Sequence, residues 1–232
     1  MEELERIDET VAAVVIEPIQ AEAGILEPVE TGLGENFLRR VQEQCRKVGA
    51  LLIVDEIQTG MGRTGSLLAC TRYGVTPDIL CLAKSFGGGM PLGAFIAPRE
   101  FMKKLTFDPP LGHITTFGGH PVCCAAGLAA QRVVEEEGLM EHALRMEQRY
   151  RSRLPHPCIQ KVRGRGLFLA VVLRDGLDVS QFMARAFREG LVMDQFLFDR
   201  GAFRIAPPLT ITEAEVDRSV EMIHHALDEL WG

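Results

Sequence analysis

The sequence predicts an α/β protein: a mostly parallel sheet with helices on both faces, followed by a small carboxyl-terminal α/β domain. Short apolar, β-branched runs recur along the first half of the chain and alternate with helical spacing. Three of them end on a charged residue, Glu17, Asp55 or Lys84. After Pro155 and Pro157 the rhythm shifts to shorter runs, so the large domain with its connecting helix is expected over residues 1–154 and the small domain over 155–232.

The run from Val11 to Ile16 stops at Glu17-Pro18 and reads as a strand buried on both faces. From Glu35 to Val48 the apolar Phe37, Leu38, Val41, Cys45 and Val48 follow helical spacing, and Gly49 supplies a stop. Leu51 to Val54 is a second buried strand, ended by Asp55-Glu56. Asp78 to Ala83 and Leu92 to Ala97 give a third and a fourth. Pro121 suits a first helical turn, and a long helix is expected from there towards Leu154, interrupted near Gly138. Beyond the two prolines, Gly166 to Leu173 reads as a strand and Val179 to Glu189 as a helix. Leu191 to Met193 and Phe203 to Ala206 read as short strands. The last helix opens with the capping box Thr212-Glu-Ala-Glu215 and carries Val216, Val220, Ile223, Leu227 and Leu230 on one face.

Composition narrows the function classes. The 232 residues are 47% hydrophobic and 25% charged, enough for a sizeable core and far from disorder. Net charge is −7 with a pI near 5.4, and Lys and Arg do not cluster, which argues against nucleic acid as a partner. No apolar run reaches the roughly 20 residues needed to cross a bilayer. The acidic start lacks an apolar signal core. Six cysteines without Cys-x-x-Cys spacing read as reduced thiols in a cytoplasmic protein. The six histidines form no ligand cluster, so no metal site is expected.

Two strand ends carry the chemistry. Asp55 follows Leu-Leu-Ile-Val and emerges at the carboxyl edge of the sheet, where open α/β folds bind ligands. Lys84 follows Asp78 to Ala83 and emerges at the same edge, ahead of Gly87-Gly88-Gly89, a run that lets backbone approach a ligand. A salt bridge between the two is the plain alternative. Pyridoxal phosphate needs both groups: an amine for its aldehyde, and a carboxylate that keeps its ring nitrogen protonated. Burial of the lysine would favour the neutral amine this chemistry uses.

At these residues the chain resembles the class III aminotransferases of the ornithine and acetylornithine type. The resemblance rests on residues 51–65 (LLIVDEIQTGMGRTG) and 77–93 (PDILCLAKSFGGGMPLG). It extends to Ile16-Glu-Pro-Ile-Gln20, Thr115-Thr-Phe-Gly-Gly-His-Pro121 and Phe203-Arg-Ile-Ala-Pro-Pro-Leu209, all in the family's order. It implies a fold-type-I transferase that uses pyridoxal 5'-phosphate. Lys84 is similar to the lysine that forms the Schiff base and moves the proton, and Asp55 to the carboxylate on the pyridinium nitrogen. Ile57 resembles the residue packed on the ring, though core packing also explains it. Gln58 resembles the hydrogen-bond partner near the phenolic oxygen. Thr116 matches a threonine that reaches the phosphate in the neighbouring subunit, which implies a homodimer with shared sites; alone it is a loop hydroxyl. His120 stands where asparagine is common, and reads as structural.

Glu17 and Arg204 bear on substrate, because both sit beside or within apolar strands and need polar partners. They either neutralise one another or form a switch. In relatives acting on ornithine-like and γ-amino substrates, the matching arginine grips a substrate carboxylate and the matching glutamate masks or releases it. The implied reaction transfers an amino group from an ω-amino or amino-acid donor to a 2-oxo acid, 2-oxoglutarate above all. Acetylornithine, ornithine, γ-aminobutyrate, putrescine and lysine-type donors all fit.

Family chains are longer at the amino end, where they hold the glycine- and serine/threonine-rich phosphate turn and the aromatic residue on the second ring face. Neither has a substitute upstream of Glu17, so the chain is expected to be a carboxyl-terminal portion with an incomplete large domain. The alternatives are a non-catalytic truncated subunit, and the related glutamate-semialdehyde aminomutase, whose signature has methionine where Gln58 stands.

Overall fold

The computed structural model describes residues 2–29, 36–110 and 112–231, and these form two compact units. The first comprises residues 1–18, 28–61 and 68–134; the second comprises 19–27, 62–67 and 135–232. The boundary expected after residue 154 falls within the second unit, between its long helix and its first strand.

The first unit is built on a four-stranded sheet of β1 (Ala13–Ile16), β2 (Leu51–Asp55), β3 (Ile79–Leu82) and β4 (Ala94–Ile96), in that order. β1, β2 and β3 are parallel, and β4 closes the sheet antiparallel to β3. Helix α1 (Glu2–Glu5) precedes the sheet, α2 (Phe37–Val48) links β1 to β2, and α3 (Ala69–Arg72) precedes β3. Leu38, Val41 and Cys45 of α2 pack with Leu52, Val54 and the partly buried Val14 and Ile16, so side chains alternating along each strand meet one helix face. The Asn36 side chain accepts a hydrogen bond from the Arg39 N–H, and Gly49 ends α2 in the left-handed region at φ 81°. Glu35, where the helix was expected to begin, lies outside the described residues.

Burial of β1 on both faces is not met. It is an edge strand, and Val15, pointing away from α2, remains 66% exposed. After α4 (Arg99–Lys104), the long helix divides at Gly138 (φ 61°) into α5 (Pro121–Glu136) and α6 (Leu139–Arg153), as the sequence predicts.

The second unit holds an antiparallel sheet ordered β5 (Ile159–Arg165), β6 (Phe168–Leu173), β8 (Ala202–Ile205), β7 (Asp194–Gln195). Helices α6, α7 (Val179–Arg188) and α8 (Glu213–Trp231) cover it, with Tyr150, Phe182, Phe203 and Ile223 among the fully buried side chains. Phe182 and Phe203 meet ring to ring at 4.4 Å. The capping box of α8 forms: Glu215 Oε2 accepts from the Thr212 N–H at 2.8 Å, and Thr212 Oγ1 accepts from the Glu215 N–H at 3.3 Å.

Two strands depart from expectation. β5 was not foreseen, because Lys161, Arg163 and Arg165 interrupt its apolar residues. β7 lies at 194–195 instead of 191–193, where Leu191 and Met193 pack against the core without joining the ladder.

A buried carboxylate holds the β5–β6 turn. Glu147 of α6 accepts from the Gly166 N–H at 2.6 Å and from Arg151 Nε at 2.8 Å, while Arg151 donates to the carbonyls of Val162 and Gly164. Removing Glu147 leaves the buried Gly166 N–H without its acceptor and takes one of three acceptors from Arg151, and an unsatisfied buried donor costs about 1–3 kcal/mol. Glu147→Ala is expected to lower stability by about 2 kcal/mol, read from denaturant midpoints at unchanged slope. A loss under about 1 kcal/mol would mean that water replaces the carboxylate.

Candidate active site

Three strand ends of the first unit converge on one edge. Ile16 pairs with Val54 and Asp55 with Cys81, so Glu17, Asp55 and Lys84 leave neighbouring parallel strands in the same direction. Asp55 ends β2, and its Oδ1 accepts from the Ile57 N–H at 2.9 Å, which ties the following turn to the carboxylate. Burial, and then the Asp55 carboxylate beside it, push the Cys81 thiol up, so Cys81 carries no charge at neutral pH.

Glu56, next in sequence, serves the fold. It is buried and accepts from Thr59 Oγ1 and from the Cys70 N–H at 2.7 Å. Burial first, and then Glu56, push the Cys70 thiol up to about 12.

Lys84 opens a short 3-10 turn (Lys84–Gly87) after β3 with φ at 52°. A left-handed lysine costs on the order of 1 kcal/mol and persists only where its surroundings impose it, a pattern concentrated at functional sites. Lys84 is exposed, so the burial expected of it is not supplied by the described residues. Gly88, in the glycine run after it, faces the backbone of α5. A Cβ on Gly88 would lie 2.5 Å from the Ala126 carbonyl oxygen, and one on Gly127 would lie 2.7 Å from that of Phe86. They let α5 approach the backbone of the lysine turn.

The remaining expected residues are spread along the chain. Ile57 and Gln58 are half-buried in the turn after Asp55. Thr116 is exposed in a turn before α5, and His120 Nδ1 accepts from the Val122 N–H at the start of that helix, a structural role.

Arg204 belongs to the second unit, in β8 between Ala170 and Asp194. Its side chain is only 10% exposed, its Nη2 lies 2.8 Å from Glu22 Oε1, and its Nη1 lies 3.5 Å from Asp194 Oδ2. Its guanidinium carbon stands 4.8 Å from the centre of the Phe196 ring. Glu22 and Asp194 are thus carboxylates found on Arg204, and the sequence reading, which paired Arg204 with Glu17, did not single out Glu22. Glu22 sits on a loop closed by the Gln20–Leu26 bridge, and its carbonyl accepts from the Phe198 N–H at 3.1 Å. The signal for it was a carboxylate between small residues, Ala21 and Ala23, inside an apolar segment.

The family model for class-III aminotransferases matches residues 1–227. This chain belongs to the class-III aminotransferases. It is 40% identical to the putrescine aminotransferase of Pectobacterium atrosepticum, matching all of this chain and 50% of that protein. An ornithine aminotransferase from Toxoplasma gondii, with pyridoxal phosphate at partial occupancy in its active site, superposes with a TM-score of 0.85 at 36% identity. It covers 97% of this chain and 53% of that one. The acetylornithine aminotransferase of Elizabethkingia anophelis gives 0.85 at 36% identity, over 98% and 57%. The chain therefore spans about half the length of the relatives it matches.

Class-III aminotransferases depend on pyridoxal phosphate, and the strand-end residues fit two of its groups. An exposed amine at Lys84 would suit the aldehyde, and a carboxylate at Asp55, steadied by the Ile57 N–H, would suit the ring nitrogen.

Proposed function

We propose that this class-III aminotransferase chain carries the lysine and carboxylate of a site that moves an amino group from an ω-amino or amino-acid donor to a 2-oxo acid, 2-oxoglutarate. The observation that carries the reading is the exit of Asp55 and Lys84 from adjacent parallel strands at one carboxyl edge. Pyridoxal phosphate, when bound, supplies an aldehyde and a ring that accepts the electron pair released at the donor carbon. Lys84 Nζ holds the aldehyde end and carries the proton to and from the donor carbon. Asp55 keeps a proton on the ring nitrogen, Ile57 packs on the ring, and Gln58 donates near its phenolic oxygen.

Arg204 is the group that recognises a carboxylate, because its fork offers two parallel donors. Glu22 shares the masking role expected of Glu17: it occupies the guanidinium when the substrate has no second carboxylate and yields it to 2-oxoglutarate. Glu17, at the same edge as Asp55, remains assigned to the substrate side of the site. Such an exchange lets one site accept a diamine-like donor and a dicarboxylate acceptor in alternate half-reactions.

The exposed apolar residues of the first unit support a homodimer with shared sites. Phe107, Ile114, Phe117 and Val122 are each more than half exposed around Thr116. Thr116 is then the residue that reaches the phosphate in the partner's site. Free cysteines, and the lack among the described residues of any helix long and apolar enough to cross a membrane, fit a cytoplasmic enzyme.

The test is a pair of substitutions. Arg204→Lys keeps the charge and loses the fork, so the KM for 2-oxoglutarate is expected to rise roughly tenfold or more, with a carboxylate-free diamine far less affected. Glu22→Gln removes the competing charge and is expected to lower the acceptor KM. Equal losses for donor and acceptor would make Arg204 a structural residue.

A further inference from the structure

Arg63 lies in the glycine-rich stretch after Asp55 and has no assigned part in the chemistry. Within the second unit its Nη1 donates to two backbone carbonyls, Leu167 at 3.1 Å and Pro207 at 2.6 Å. Those carbonyls belong to opposed positions. Leu169 pairs with Ile205 in the antiparallel β6–β8 ladder, so Leu167 faces Pro207 two residues beyond the last pair. Proline has no N–H, and the ladder cannot continue through it. The guanidinium bridges the two carbonyls in place of the missing rung. The Arg63 carbonyl in turn accepts from the Leu167 N–H at 3.0 Å. Gly166 makes the fit possible, since a Cβ there would lie 2.6 Å from the Arg63 carbonyl oxygen. Burial pulls the guanidinium down to about 10, and it stays charged at neutral pH.

We propose that Arg63 is a positioning residue for carboxylate recognition: by closing the open end of the β6–β8 ladder, it fixes the strand that presents Arg204. Arg204 sits three residues before the clamped Pro207 carbonyl, next to the last rung of β8. A side chain that must meet a carboxylate with two parallel hydrogen bonds tolerates little displacement of its backbone. Register there is all or nothing, because a one-residue slip turns Arg204 to the opposite face. A lysine at position 63 keeps the charge, but its nitrogen ends one bond nearer the backbone than Nη1 and lacks the planar fork, so it cannot hold both carbonyls in the same geometry. The inference rests on the reading of Arg204 as the carboxylate anchor.

The experiment uses the protein at its natural length, loaded with pyridoxal phosphate. Glutarate, a dicarboxylate with no group to transaminate, is titrated by calorimetry into wild type, Arg63→Lys, Arg63→Met, Arg204→Lys and the Arg63→Lys/Arg204→Lys double variant. Arg63→Lys is expected to weaken glutarate about tenfold, and the double variant to bind no more weakly than Arg204→Lys alone. Hydrogen exchange in the peptide covering 202–207 is expected to quicken in Arg63→Lys and stay unchanged in Arg204→Lys. Should Arg63→Met fail to accumulate, Arg63→Lys carries the reading. Normal glutarate binding in both Arg63 variants, beside a loss in Arg204→Lys, overturns the role of Arg63 and leaves Arg204 standing. Additive losses in the double variant, or unchanged protection over 202–207, also overturn it. Normal binding in Arg204→Lys removes the Arg204 reading and this inference with it.

Discussion

Replacing Lys84 by alanine is expected to lower transamination by on the order of a thousandfold or more, the largest effect of any substitution in the chain. Two functions are lost together. On the proposed reading, the amine that holds the cofactor disappears, and so does the base that moves the proton at the donor carbon. No neighbour is placed to substitute. Lys103 and Lys104 end α4, beyond the antiparallel strand β4, whereas Lys84 leaves β3 at the edge shared with Asp55. The left-handed backbone at φ 52° also sets Lys84 apart, since alanine there relieves no steric conflict and gains no contact. The assay has two readouts. Borohydride treatment of the cofactor-loaded protein is expected to label the peptide bearing Lys84 in wild type and nothing in Lys84→Ala. Label recovered on Lys103 or Lys104 would sink the assignment.

Asp55→Asn is expected to cut turnover by well over tenfold, at least about 1.4 kcal/mol of barrier, with a smaller loss of bound cofactor. The substitution is close to isosteric. Its amide oxygen can still accept from the Ile57 N–H, as Asp55 Oδ1 does at 2.9 Å, so the turn survives. What the amide cannot do is hold a proton on the ring nitrogen, and electron withdrawal at the donor carbon weakens accordingly. Visible absorbance of the loaded protein separates cofactor loss from slower chemistry. A cofactor analogue with a methylated, permanently charged ring nitrogen is expected to restore part of the activity of Asp55→Asn. A drop smaller than tenfold, or equal losses of cofactor and turnover, would contradict the role given to Asp55.

Much of the fold was legible because its signals are local. The β-branched run at 51–54 needed only its own composition to read as a strand, and Thr212 with Glu215 needed only their spacing to read as a cap. The division of the long helix followed from Gly138, whose φ of 61° interrupts the regular helix. β5 was missed for the converse reason. Arg163 meets a carboxylate 36 residues along the chain, Asp199, and charge alternating with apolar residues carried no strand signal by itself. β1 read as buried on both faces because composition reports the apolar character of a strand and not which faces are covered; Val15 remains exposed.

The same division holds at the site. The sequence by itself determined that Asp55 and Lys84 stand at strand ends, and their flanking motifs brought the chain to its family. Where the strands run parallel, as β2 and β3 do, residues that each follow one of them emerge on the same edge. Tertiary structure alone brought Glu22 to Arg204, because the two are 182 residues apart and nothing in the sequence around either points to the other. It alone gave Arg63 its partners, 104 and 144 residues distant. It also showed that Gly88 makes room for α5. A periodic pattern records which face of an element is apolar, whereas a charged group's partner depends on where the folded chain returns, and no local pattern encodes that return.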